Sequence, residues 1–171
     1  MKYTRFADIP KIFPLSYYEC DVPWDYVPEW VKTHNLNLDP EYQRGHVWSV
    51  EQEIAFIEFC LQGGESGRHI FINAPGWPNP KLPPEVVDGK QRLTAILKFM
   101  NSEIPAFGTL LKNYSDKFPL EIWLCLRIHV VKLARRDVLK FYIDLNSGGT
   151  IHRPEEIDRV KNLLEKENHD G

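Results

Sequence analysis

Three short polar patches hold the residue types that site chemistry needs. Asp88-Gly89-Lys90-Gln91-Arg92 puts a carboxylate, two cations and an amide directly behind the apolar pair Val86-Val87. Gln43, Arg44 and His46 form the second patch, and Asn146 through His152, with Gly148 and Gly149 inside it, the third. A helix opening at Gly89 would point unpaired N–H groups and the positive end of its dipole outward, and Lys90 and Arg92 add cations, so an anion is the natural ligand. Asp88 opposes that ligand. At ~4 Å from a phosphate charge a carboxylate costs on the order of 4 kcal/mol at an effective dielectric of ~20, more than the ~0.3–1 kcal/mol a helix dipole returns. A cation must therefore stand between them: Lys90, Arg92, or a Mg²⁺ held by Asp88, since hard oxygen ligands suit that ion. Other chemistries lack their templates, because the sequence has no nucleophile elbow, P-loop, HExxH or Cys/His metal cluster. The same residues also fit a purely structural joint, since every strand-to-helix junction needs a cap and surface helices commonly carry Lys, Gln and Arg.

The elements that must position these patches follow from periodicity. Leu93, Ile96, Leu97 and Met100 recur at helical spacing, so the first patch opens an amphipathic helix, with Asp88 at the N-cap and Gln91 three residues on as in a capping box. On that wheel Gln91 points away from the buried face and Arg92 lies on its flank. The second patch runs into Ser49, which is three residues before Gln52; this second capping box starts a helix with Val50, Ile54, Ile57 and Leu61 that stops at Gly63-Gly64. The third patch follows a helix whose stripe is Ala134, Val138, Phe141 and Leu145. Pro154 then opens a last helix with Ile157, Val160 and Leu164, fraying from Glu165. Strands are expected at Tyr17 to Asp21, at His69 to Asn73, and from Ile122 to Val131, where strict alternation puts Arg127 and His129 on one half-exposed face. Short helices are expected from Pro28 to about Thr33 and around Phe107, Leu110, Leu111 and Tyr114. The aromatics among the early prolines read as packing rather than base-stacking platforms, because no basic residues are interleaved with them.

With 171 residues and 43% hydrophobic content, the chain is expected to form one domain over 1–171. A net charge of −3 argues against coating nucleic acid with the whole surface, though a local basic patch remains compatible with phosphate contacts. Cys20, Cys60 and Cys125 match neither a disulfide framework nor a zinc pattern and read as buried thiols. No signal peptide or membrane-length apolar run is seen, so a cytoplasmic protein without a membrane partner is expected.

The segments YQRGHVW, VVDGKQRLTAI and FYIDLNSGGTIHRPEEI occur in this order over most of the chain. They resemble the successive signatures of the N-terminal domain of GmrSD-type modification-dependent restriction systems, with Asp88, Gly89, Gln91 and Arg92 as its DGxQR motif. The resemblance implies an α+β, ParB/sulfiredoxin-like fold, a small mixed sheet packed with several helices. It also implies nucleotide binding and Mg²⁺-dependent hydrolysis of a nucleoside triphosphate that regulates DNA cleavage. On that reading Asp88, Gln91 and Arg92 are catalytic and Asp88 is also the metal ligand. Gln43, Arg44, Gly89, Lys90, Asn146, Gly148, Gly149 and His152 bind phosphate or nucleotide. The expected partners are a nucleotide, DNA, and a separate nuclease subunit or a host or phage protein, since the chain shows no HNH-like module. Two alternatives stand beside this one: a direct ParB-like DNA nuclease, and a non-catalytic DNA- or protein-binding module with a vestigial pocket.

Overall fold

The computed structural model describes residues 2, 4–5, 9, 18–43, 45, 47–76, 82–119, 121–147 and 154–169, and the backbone alone at 122, 147, 154–156 and 168–169. In chain order the elements are β1 (Tyr18–Pro23), α1 (Val27–Thr33), α2 (Val50–Leu61), β2 (His69–Asn73), β3 (Glu85–Asp88), α3 (Lys90–Met100), β4 (Pro105–Ala106), β5 (Thr109–Leu110), β6 (Cys125–Val131), α4 (Arg135–Ser147) and α5 (Pro154–His169). Single 3-10 turns lie at Trp24–Tyr26, Leu111–Asn113 and Ile122–Leu124. A four-stranded sheet in the order β1-β6-β2-β3 separates two layers of helix. The β1–β6 and β2–β3 pairs are antiparallel and β6–β2 is parallel, so the fold is mixed α+β, as expected.

Alternation along the strands makes the sheet two-sided. Leu126, Ile128 and Val130 of β6 join Val22, Ile70, Ile72 and Val86 on one face, where Trp24, Ile57, Leu93, Ile96 and Phe99 complete the larger core. Val87 and Val131 face the other way and meet Tyr42, Val138, Leu139, Phe141, Tyr142 and Val160 beneath α4 and α5. This second core covers the Val131 end of β6. Toward the opposite end the same face carries Glu19, Asp21, Arg127, His129 and His69, and among the described residues that half of the sheet is open, with all but His129 exposed.

Several expected elements appear as read. Ser49 accepts from the Gln52 N–H while the Gln52 side chain accepts from the Ser49 N–H, a complete capping box at the start of α2. The His69–Asn73 strand has the expected bounds. Others differ. Phe107 to Tyr114 is not a helix: Phe107 (φ 48°) and Gly108 (φ 75°) make the two-residue turn of the β4–β5 hairpin, and a 3-10 turn follows. Consecutive positive φ values suit the turn that matches strand twist, which overrides the helical spacing of the apolar residues. The strand expected from Ile122 starts at Cys125, which pairs with Pro23, the last residue of β1; proline has no N–H with which to extend a ladder. The last helix continues past Glu165 to His169. Only Cys60 of the three thiols is fully buried, and Cys20 and Cys125 are half-buried. Among the described residues no helix is long and apolar enough to cross a membrane.

Candidate functional site

The joint between β3 and α3 is built around a bulge and a glycine. Phe71 pairs with Asp88 and Ile72 with Val86, so Val87 is the extra residue on β3. The displaced carbonyls of Val86 and Val87 accept from Gln43 Nε2 at 3.0 and 2.7 Å. Gly89 then takes φ 95° and becomes the N-cap of α3. A Cβ at Gly89 would overlap Ile70 Cδ1, so the position needs glycine for room as well as for conformation.

The capping box expected at Asp88 and Gln91 is not formed, and the helix begins at Lys90 rather than Gly89. Asp88 still belongs to the β3 ladder, and its carboxylate points along the helix to Arg92, whose Nη2 donates to Oδ2 at 2.7 Å. Arg92 Nη1 donates to the carbonyls of Gly67 (2.8 Å) and His69 (2.9 Å), tying the first turn of α3 to the start of β2. Gln91 is buried instead of pointing to solvent. Its Oε1 accepts from the N–H groups of Val47 (3.1 Å) and Trp48 (3.2 Å), and its Nε2 donates to the Gly45 carbonyl at 3.3 Å. Lys90, also buried, pairs with the exposed Asp39. The tertiary demand of Asp39, Gly45, Val47 and Trp48 for donors and acceptors therefore outcompetes local capping. Gln91→Leu is expected to cost about 1–3 kcal/mol, because two backbone donors lose their acceptor. Gln91→Glu, which keeps acceptor oxygens, should cost less; urea unfolding of both variants checks the order.

Two of the three patches are thus brought together. Gln43 grips β3, and Gly45, two residues on, is held by α3; Arg44 and His46 lie outside the described residues, as do Gly148, Gly149 and His152. Asn146 is in α4, where its Nδ2 donates to the Tyr142 carbonyl at 2.6 Å. Tyr142 meets Tyr42 edge-on with ring centroids 5.3 Å apart, so α4 approaches the Gln43 segment one turn before Asn146. Two arginines with no sequence signal beyond flanking apolar stripes complete the assembly. Arg159 of α5 donates to the carbonyls of Gln43 (2.7 Å) and Tyr42 (3.3 Å). Arg135 of α4 lies 5.2 Å from the Tyr42 ring centroid and pairs with Glu41 at 2.9 Å.

Glu19, His129, Phe71 and Asp88 are successive partners in one row across the sheet, so Asp88 shares the open face. In that row His129 Nδ1 lies 3.0 Å from Glu19 Oε1, and His129 Nε2 lies 2.7 Å from His69 Nδ1. Asp21 and Arg127 pair beside them at 3.0 and 3.1 Å, which holds the Asp21 carboxyl below its ordinary range. Burial pushes the His69 imidazole down, and His129 and the cations Arg127, Arg68 and Arg92 push it the same way. Sequence reading put Arg127 and His129 on one face but did not reach His69; the only signal was a histidine at the head of a strand. Among the described residues no group of three or more His, Cys, Asp or Glu could hold a metal ion by itself. An apolar cavity of about 220 Å³ beside Phe99, Phe107 and Phe118 shares no residue with this site.

Comparison with curated proteins and with solved structures gives no match. The family model described as "GmrSD restriction endonuclease, N-terminal domain" matches residues 27–169, which include the Gln43 segment, the β3–α3 joint, β6 and both C-terminal helices. The chain therefore belongs to the family of GmrSD restriction endonuclease N-terminal domains.

Proposed function

We propose that this domain binds a nucleoside triphosphate by its phosphates at the β3–α3 joint and hydrolyses it slowly with Mg²⁺, as the regulatory part of a DNA restriction system. Its family links the chain to modification-dependent restriction systems. The observation that carries the reading is the start of α3: a glycine N-cap without a side-chain cap bond, set beside the partly exposed carboxylate of Asp88. The first-turn N–H groups suit phosphate oxygens, and Arg92, already on Asp88, supplies the neutralising charge that a phosphate there requires. Among the described residues Asp88 Oδ1 makes no hydrogen bond, so it fits a cation carried in on the phosphates, which needs one or two protein carboxylates rather than a cage. Such an ion would polarise the phosphoryl group. Gln43, Lys90 and Gln91 shape the rim through their bonds to β3, Asp39, Gly45, Val47 and Trp48, with Arg44, Asn146, Gly148, Gly149 and His152 proposed to close it. Coupling to DNA, and to a nuclease partner, is part of the proposal.

The test is a hydrolysis and binding panel with ATP, GTP, CTP and UTP, with and without Mg²⁺. Asp88→Asn keeps an acceptor for Arg92, so the fold should hold while Mg²⁺-dependent turnover falls by about 100-fold or more. Nucleotide binding without Mg²⁺ should change little. No binding of any nucleotide by the purified chain refutes the reading. The internal bonding of Lys90, Gln91 and Arg92 favours a second one, a DNA- or protein-binding module with a structural joint. Salt-dependent DNA binding that ignores nucleotide would decide for it. Plasmid nicking by the chain alone, lost in Asp88→Asn, would decide instead for a direct nuclease.

A further inference from the structure

We propose that Glu19, His129 and His69 form a proton relay whose outer end, His69 Nε2, is the general base for water attacking a nucleotide phosphate on the open half of the sheet. This deepens the phosphate-binding reading and rests on it.

The protonation pattern follows from the partners. A carboxylate only accepts, so the 3.0 Å contact with Glu19 Oε1 puts the proton of neutral His129 on Nδ1. His129 Nε2 is then an acceptor, and the 2.7 Å contact requires His69 to donate from Nδ1. The lone pair of His69 is left on Nε2, which has no partner among the described residues. Ring geometry agrees: centroids 4.9 Å apart with planes 15° apart fit two imidazoles edge to edge in nearly one plane, the arrangement of an in-line hydrogen bond. His129 is buried against the Phe71 ring, with centroids 4.7 Å apart, whereas His69 is exposed, so protons enter and leave at His69.

The surroundings select the substrate. Arg68, Arg92 and Arg127 stand around His69, and Arg92 joins its carbonyl to Asp88. Glu19, Asp21 and Asp88 balance them, and Asp21 is already taken by Arg127. Arg68, whose Nε donates to the Cys125 carbonyl rather than to a carboxylate, can meet an anion beside His69, while burial, then His129 and the three cations, disfavour a positive charge on the imidazole and hold it below its ordinary value. In the step, His69 Nε2 takes a proton from water as the water oxygen bonds to phosphorus. The bond from phosphorus to the leaving phosphate oxygen breaks, and that oxygen keeps the electron pair. The His69 imidazolium is stabilised through His129 by the Glu19 carboxylate, and its proton passes to the leaving oxygen or to solvent.

The experiment uses the full chain with Mg²⁺ and the nucleoside triphosphate that it turns over fastest. His69→Gln should lower kcat by about 10²–10⁴-fold, keep nucleotide Kd within about twofold, and erase the acidic limb of the pH–rate profile. Glu19→Gln, a change to a positioning residue, should move that limb to lower pH, because the carboxylate favours the charged relay. Turnover retained in His69→Gln overturns the proposal and leaves the nucleotide reading intact. If the wild-type chain binds and hydrolyses no nucleotide, the nucleotide reading fails, and imidazole ¹⁵N NMR of the same chain judges the relay. His69 protonated at Nδ1, and changed by Glu19→Gln, then supports the relay; His69 protonated at Nε2 in the wild-type chain overturns it.

Discussion

Gly89→Ala is expected to destabilise the fold by about 2–5 kcal/mol. Two penalties add. The residue sits at φ 95°, where an L side chain costs about 1–2 kcal/mol. The new methyl would also overlap the Cδ1 of Ile70, a fully buried side chain, and overpacking of this kind costs about 1–3 kcal/mol. Gly108→Ala separates the two, since Gly108 also has positive φ but nothing within 4 Å of its would-be Cβ. Urea unfolding should show a clearly larger loss for Gly89→Ala than for Gly108→Ala. Equal losses would mean that Ile70 yields, and that glycine is needed there only for its backbone.

Lys98→Met is expected to cost about 3–5 kcal/mol. The ammonium of Lys98 on α3 donates to both oxygens of Glu53 on α2, at 2.7 and 2.9 Å, and Glu53 is completely buried. Removing the lysine leaves a carboxylate inside the larger core without that cation, and methionine replaces the stem without replacing the charge. Because Lys98 is 30% exposed, water entering by its flank places the effect toward the lower end of that range. Lys98→Arg should recover most of the loss. Denaturant midpoints of the three proteins check this, and a loss below about 1 kcal/mol for Lys98→Met would mean that Glu53 is held by other groups.

The sequence exposes those parts of this structure that local rules decide. The Ser49 box forms because Ser49 and Gln52 have no stronger suitors than each other, and the His69 strand forms because bulky residues between turn signals leave no alternative. At Asp88 the same capping rule fails, although the spacing is identical. Gln91 is claimed by backbone groups more than forty positions earlier, and Asp88 by the ladder and Arg92, so the joint falls to Gly89. The hairpin at Phe107 was hidden because apolar spacing there satisfied a helix equally well. The motif residues were legible through family resemblance, but their partners were not: Arg159 and Arg135 look like ordinary surface charges until the helices are placed. The His69–His129 contact joins positions sixty apart, on strands that become neighbours only once the sheet order β1-β6-β2-β3 is known.

The two clasps of the site set the order in which it can be completed as the chain is made. Arg159 reaches back 116 positions to the Gln43 carbonyl, and His129 reaches back 110 to Glu19. Contacts between such distant positions form only after the entropy of closing the intervening loop has been met. A nascent chain that has released β3 and α3 already contains Gly67, His69 and Asp88, the partners of Arg92, yet it lacks the Glu19 row until β6 emerges and the Gln43 clasp until α5 does. The partners of the joint are therefore synthesised early and those of the site around it late, and a chain truncated before α5 would carry the motif without a finished site.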